Sequence, residues 1–334
     1  MSKKGIFEQF FGTVAPQEYT DLALEAHEAL RGRAGVEISG VRVTEDRRGE
    51  IAITWVEIFS EEGERLMGKT RGNYITLEAP SLRHRNRQLQ EDLGQVLTQN
   101  LVQLLHLRPD SNVFVVGLGN WKATPDALGP RVVNGVLVTR HLKGHIPLDL
   151  SGGLRSVAAL APGVLGLTGI ETSEIIRAVV DDVQPDLVIA IDALAARNIE
   201  RIATSIQLAD SGIHPGSGVG NERIGLTQKT LGVPVVAIGV PTVVHAITIA
   251  TNTIDILLDK LRGQASLLQI IEEMEAPDKR GLINEILSPL VGDLVVTPKE
   301  IDVLIDDMSR LIAGSLNAAL HPNIDQGEIF RYIN

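Results

Sequence analysis

Apolar residues in this chain fall into two kinds of pattern. From Gly35, Glu50 and Gly72 the segments GVEISGVRV, EIAITWVEIF and GNYITLEA alternate apolar with polar, the period of half-buried antiparallel strands. From Ser81 to Leu107, Leu89, Leu93, Val96, Leu97, Leu101, Leu104 and Leu105 recur at three- and four-residue steps, which predicts one long amphipathic helix. Farther on the apolar runs become continuous: SNVFVVG from Ser111, PDLVIAI from Pro185 and VPVVAI from Val233. Short unbroken runs bounded by Gly, Pro and Asp predict strands buried on both faces of a parallel sheet.

Between these runs, Glu25 to Leu30 reads as a short helix, RVVNGVLVTR from Arg131 as a further strand, and Glu171 to Val183 as a crossover helix. Ala193 to Ile206 reads as a helix following the second core strand. The Gly- and Leu-rich stretch from Leu148 to Gly169 reads as a loop and candidate flap. The segment from Ile254 to Leu287 is helical by period, GDLVVTP from Gly292 a short strand, and Pro298 to Ala319 a closing helix. The fold class is therefore α/β, a mostly parallel central sheet flanked by helices with an added β-rich N-terminal section. Residues 22–80, which hold that section, either form a subdomain or extend the sheet.

Composition narrows the chemistry. The 334 residues carry a net charge of −11 with both signs interspersed, so no basic stripe follows a phosphate backbone and direct nucleic-acid binding is not expected. The absence of cysteine removes thiol catalysis and thiolate metal sites. The most apolar region, Val233 to Leu258, is broken by Pro241, His245, Asn252 and Asp255, and the start MSKKGIFEQFFG is no export signal, so neither a membrane span nor secretion is expected.

Two of the continuous runs lead to an acid: SNVFVVGLGN to Asp126, and PDLVIAI to Asp192. Ligands of open α/β sheets collect at carboxyl ends of strands. Two carboxyls brought together there cannot both ionise, and a pair sharing one proton can activate a water. Each acid also has an ordinary use, Asp192 as N-cap of the helix expected after it and Asp126 in a Pro-Asp turn. Gly117-Leu118-Gly119-Asn120 and Gly218-Val219-Gly220-Asn221 are glycine loops whose backbone N–H groups could bind substrate. Neither completes a dinucleotide fingerprint, since Lys122 and Arg223 stand where the third glycine belongs. HExxH fails at Arg31, and neither GxSxG nor a Walker loop occurs. Asp210-Ser211-Gly212 matches the DSG of pepsin-like enzymes only as a turn. No cofactor or metal is expected.

Five blocks, TDLALEAHE from Thr20, GLGNWKATPDALGPRVV from Gly117, PDLVIAIDALAAR from Pro185, DSGIHPGSGVGNER from Asp210 and VTPKEID from Val296, resemble the germination proteases, endopeptidases that degrade small acid-soluble spore proteins. The resemblance implies a cytoplasmic enzyme of the forespore and spore core, an atypical aspartic endopeptidase made as a homotetrameric, self-processing zymogen. Its catalytic pair falls on Asp126 and Asp192. Its processing site falls on Thr20-Asp21-Leu22-Ala23-Leu24-Glu25, so residues 1–21 would be a propeptide cut off between Asp21 and Leu22, leaving 22–334 as the catalytic domain. Thr20 could instead cap the helix that follows. Expected substrate-binding residues are Gly117, Gly119, Asn120, Lys122, His214, Gly218, Gly220, Asn221 and Arg223, with Arg197 and Lys229 as further cations. The GxGN loop is also similar to that of hydrogenase-maturation proteases, which leaves a metal-dependent endopeptidase open. A non-catalytic peptide- or anion-binding module is the remaining alternative.

Overall fold

The computed structural model describes residues 20–34, 37–142, 154–215, 224–261 and 294–322. Its elements run α1 (Ala23–Ala34), β1 (Val41–Arg48), β2 (Ile51–Ile58), α2 (Glu61–Met67), β3 (Gly72–Glu78), α3 (Arg87–Leu105), β4 (Asn112–Gly117), α4 (Leu128–Asn134) and β5 (Ser156–Leu160). There follow α5 (Leu165–Thr168), α6 (Thr172–Val183), β6 (Leu187–Ala196), β7 (Ser205–Ala209), α7 (Gln228–Leu231), β8 (Val235–His245), α8 (Ala246–Leu261), β9 (Val295–Val296) and α9 (Ile301–Leu320).

All nine described strands join one sheet, ordered β1-β2-β3-β7-β8-β6-β4-β5, with β9 paired to β8. Four neighbouring strands, β5-β4-β6-β8, are parallel, with β5 at the edge. The front strands are antiparallel and attach through β3 to β7, so the β-rich section extends the sheet. The continuous apolar runs have a simple cause. Val113 and Val115 of β4 face a core built with α3, α4 and α9, while Phe114 and Val116 face one built with α6 and α7. Both faces of the strand are dry, so both parities of position are apolar. Fully burying each such Val or Phe contributes about 1.5–3 kcal/mol.

The long helix begins at Arg87 because the Asn86 side chain accepts from the N–H groups of Gln88 and Leu89, at 3.0 and 3.4 Å. Its leucines Leu89, Leu93, Leu97 and Leu101 pack into the first core. A third cluster joins Ala23 and Ala26 of α1 to Val56, Tyr74, Ala209 and Ala237 on β2, β3, β7 and β8.

Three expectations change. Ala193 to Ile206 is not a helix: β6 continues to Ala196, and β7 begins at Ser205 after a single 3-10 turn at Ile199–Arg201. RVVNGVLVTR is not a strand, since Arg131 to Asn134 completes α4. The stretch expected to be a loop and flap holds the parallel edge strand β5 and the short helix α5, while residues 148–153 lie outside those described. Residues 262–287, read as helical by period, also lie outside them.

Candidate active site

Asp192 is held by the sheet. It sits inside β6, which lies between β4 and β8, and its register partner on β8 is Gly239. It does not cap a helix, because the strand runs on for four residues. One carboxylate oxygen accepts from the Ala193 N–H at 2.9 Å, yet the residue is only 6% exposed. Burial pushes its proton affinity well above the usual aspartate range, and the nearby charges of Asp126 and Asp21 push it further.

Asp126 reaches the same place from a loop. After β4 the chain turns through Gly119 and closes on a 3-10 turn at Thr124–Asp126. The Asn120 N–H donates to the Asp126 carbonyl (3.0 Å), the Asp126 N–H to the Ala123 carbonyl (2.8 Å), and the Leu118 N–H to Ile191 on β6 (2.8 Å). The loop is thus stitched both to itself and to the strand that bears Asp192. Gly117 packs against Gly129, where an added Cβ would stand 2.2 Å from the Gly129 carbonyl oxygen. Gly119 has φ +111°, and a Cβ there would lie 2.0 Å from the Asp126 carbonyl oxygen. Gly119→Ala is therefore expected to cost about 1–3 kcal/mol of stability by forcing the Asp126 turn to move. Denaturant titration checks this, and an unchanged midpoint contradicts it.

Both aspartates line a cavity of about 400 Å³, together with Gly119, Pro125, Glu171, Leu194, Ala195, Pro215 and Ile224. Asp21 lines it as well. Residues 20–22 run beside the end of β6: the Asp21 N–H donates to the Ala195 carbonyl (2.9 Å) and an Asp21 carboxylate oxygen accepts from the Ala195 N–H (2.8 Å). Lys69 Nζ donates to the Thr20 carbonyl at 3.0 Å. Burial lowers the proton affinity of that ammonium, while Asp21 and Glu25 raise it. The Thr20 hydroxyl donates to Glu25 and accepts from the Leu22 N–H, so Thr20 does serve the start of α1.

Glu25, 2% exposed, also accepts from the N–H groups of Arg197 and Asn198 at 2.6 and 2.9 Å. The charge behind it is Arg201, which pairs with Glu25 at 3.3 Å, grips Glu28 through two 2.7 Å bonds and reaches Glu78 at 2.7 Å.

The other expected residues scatter. Gly117 is buried behind the loop, and the N–H groups of Leu118 and Asn120 are engaged within the loop and to β6. Lys122 is exposed, its N–H donating to the Asn120 side chain (2.9 Å). His214 is exposed with its ring over Gly225, and only its neighbour Pro215 lines the cavity. Lys229 is exposed on α7, and Arg197 is half-buried beyond the end of β6. Gly218, Gly220, Asn221 and Arg223 lie outside the described residues. Lys69 and Gln207 were missed by sequence reasoning. Gln207 had one available signal, as an amide in the otherwise apolar run Ile206–Ala209. Among the described residues no three His, Asp or Glu side chains gather to hold a metal ion, and no helix is long and apolar enough to cross a membrane.

The family model described as germination protease matches residues 18–265 and 259–333. The chain belongs to the germination protease family. It is 52% identical to the germination protease of Caldanaerobacter subterraneus subsp. tengcongensis over 93% of this chain and 96% of that one. The Clostridium tetani germination protease is 46% identical over 94% and 99% of the two chains, and that of Bacillus subtilis 45% over 92% and 94%. Among solved structures, a NiFe hydrogenase maturation protease, HycI, from Thermococcus kodakarensis is similar over 40% of this chain and 74% of its own, with 22% identity and a TM-score of 0.26. As a germination protease, the chain is a peptidase of spore germination.

Proposed function

We propose that this germination protease is an aspartic endopeptidase whose working pair is Asp126 and Asp192. It degrades small acid-soluble spore proteins and, as a zymogen, first cuts itself between Asp21 and Leu22. The observation that carries this reading is that one cavity is lined by both aspartates and by Asp21 itself. A segment built to be cut should lie at the groups that cut it.

The elevated proton affinity of Asp192 divides the labour. Asp192 holds the shared proton and gives it to the carbonyl oxygen of the peptide; the Asp126 carboxylate takes a proton from the attacking water. The resulting diol collapses when the proton on Asp126 passes to the leaving nitrogen and one diol proton returns to Asp192. The C–N bond breaks, one water is consumed, and the pair regains its starting state. The two carboxyls titrate as a unit, so a rate profile would report the pair.

Incubating the full chain at mildly acidic pH and sequencing the new N-terminus tests the self-cleavage. The expected terminus is Leu22, and any other refutes that site. In the same samples a peptide with the pattern Thr-Glu, large apolar, Ala, x, Glu should be cut after its first Glu.

A further inference from the structure

Gln207 straddles the bond between Asp21 and Leu22. Its Nε2 donates to the Asp21 carbonyl oxygen at 3.3 Å, and its Oε1 accepts from the Ala23 N–H at 2.7 Å. With a donor at one end and an acceptor at the other, only one orientation of the amide satisfies both contacts. The side chain is 8% exposed, on a strand buried along its whole length. Through the sheet it is tied to Asp192: Gln207 pairs in register with Gly239, and Gly239 pairs with Asp192. Residues in register across a sheet share a face, so amide and carboxyl project from the same side. Gly239 between them has no side chain, and Leu194 lies over it.

The carbonyl that Gln207 touches matters because its oxygen gains negative charge when water adds to the adjoining carbon. A fixed N–H donor becomes stronger as that charge grows, which lowers the barrier rather than merely holding the ground state. The 3.3 Å contact also has room to shorten. Residue 21 cannot slide away meanwhile, since Ala195 grips it through backbone and carboxylate, and Lys69 holds the preceding carbonyl.

We propose that Gln207 is the catalytic residue that stabilises the developing oxyanion during self-cleavage, acting beside the proton delivered by Asp192. This rests on the self-cleavage proposed above. The reaction is hydrolysis only: the water oxygen bonds to the Asp21 carbonyl carbon, the bond to the Leu22 nitrogen breaks, and the nitrogen leaves carrying a proton.

The test is a time course of processing by intact mass for the full chain and for Gln207→Glu, across pH. Glutamate keeps the acceptor for the Ala23 N–H but, when ionised, has nothing to donate to the Asp21 carbonyl. Processing is expected to slow on the order of 10²-fold near neutrality. The ratio to wild type should recover as pH falls, because a protonated carboxyl can donate again. A purely structural Gln207 would show no such recovery. Wild-type processing by Gln207→Glu at every pH overturns the proposal, while a wild-type terminus other than Leu22 refutes the self-cleavage reading instead. If Gln207→Glu does not fold, Gln207→Met is read in its place: slow processing at every pH is expected, and an unchanged rate overturns the role.

Discussion

Asp192→Asn is expected to reduce peptide hydrolysis by a factor on the order of 10³ or more, since a positioned acid or base contributes about 10²–10⁴ and a pair acting as a unit fails together. The same substitution is expected to change stability in a direction set by pH. In the folded chain burial, then Asp126 and Asp21, keep Asp192 protonated above the usual value of 3.8. The unfolded chain releases that proton as pH rises past the usual value, so it binds fewer protons than the folded chain. Stability contributed by this group is therefore highest in acid and falls with rising pH until the elevated folded value is passed. An asparagine does not titrate, so the stability of Asp192→Asn relative to wild type should climb between acid and neutral pH. Paired denaturant titrations at several pH values, with peptide hydrolysis measured alongside, check both halves. A variant that hydrolyses at the wild-type rate sinks the catalytic pair. Asp126→Asn should also abolish hydrolysis, and it should lower the Asp192 proton affinity only in part, because burial is the larger cause.

Arg201→Ala is expected to destabilise the fold by about 3–5 kcal/mol, the usual cost of removing one member of a buried ionic cluster. The Arg201 side chain is 10% exposed and its partner Glu25 only 2%. Burial opposes the guanidinium charge, but Glu28 and Glu78 hold it firmly protonated. Without it, Glu25 would be left as a buried acid and the half-buried Glu78 would lose the same partner. Glu25 would keep its backbone donors and lose its counter-ion. Thermal unfolding should show a fall in Tm on the order of 10 °C. Arg201→Lys should recover little of it, since a single ammonium cannot reproduce the two-pronged grip on Glu28. A Tm within a degree or two of wild type for Arg201→Ala would mean that the cluster is energetically neutral.

What could be read in the sequence follows from where the physical signal is local. The β4 run and the leucine spacing of α3 are local patterns, and the elements lie on them, although α3 starts at Arg87 rather than Ser81 because Pro80–His84 forms a separate 3-10 turn. The stretch from Ala193 is different. Four of its first five residues are Ala or Leu, good helix formers, with Arg and Glu close behind, yet Ala193–Ala196 prolongs β6 because β8 offers a pairing partner as far as Val244. Long-range pairing overrode propensity, and no neighbouring residue announces it. The helix α4 was hidden for the opposite reason. Its Val132 and Val133 favour strands, but Gly129 sits against the Leu118 and Ile191 carbonyls, a close approach that fixes the helix start. Asp126, Asp192 and Asp21 could be singled out because family motifs surround them, and the cavity brings all three to its wall. Lys69 and Gln207 belong to no such motif. Their meaning depends on contacts of 49 and 186 residues in separation, which only the folded chain creates.

The two acids of the cavity are mounted very differently. One is riveted into an inner strand, where the β8 ladder runs past it and the β4 ladder ends at the residue before it. The other rides on a short turn secured by a handful of bonds. Any natural retuning of this chemistry, by sequence drift or by a bound molecule, would have its cheap handle on the hinged side alone.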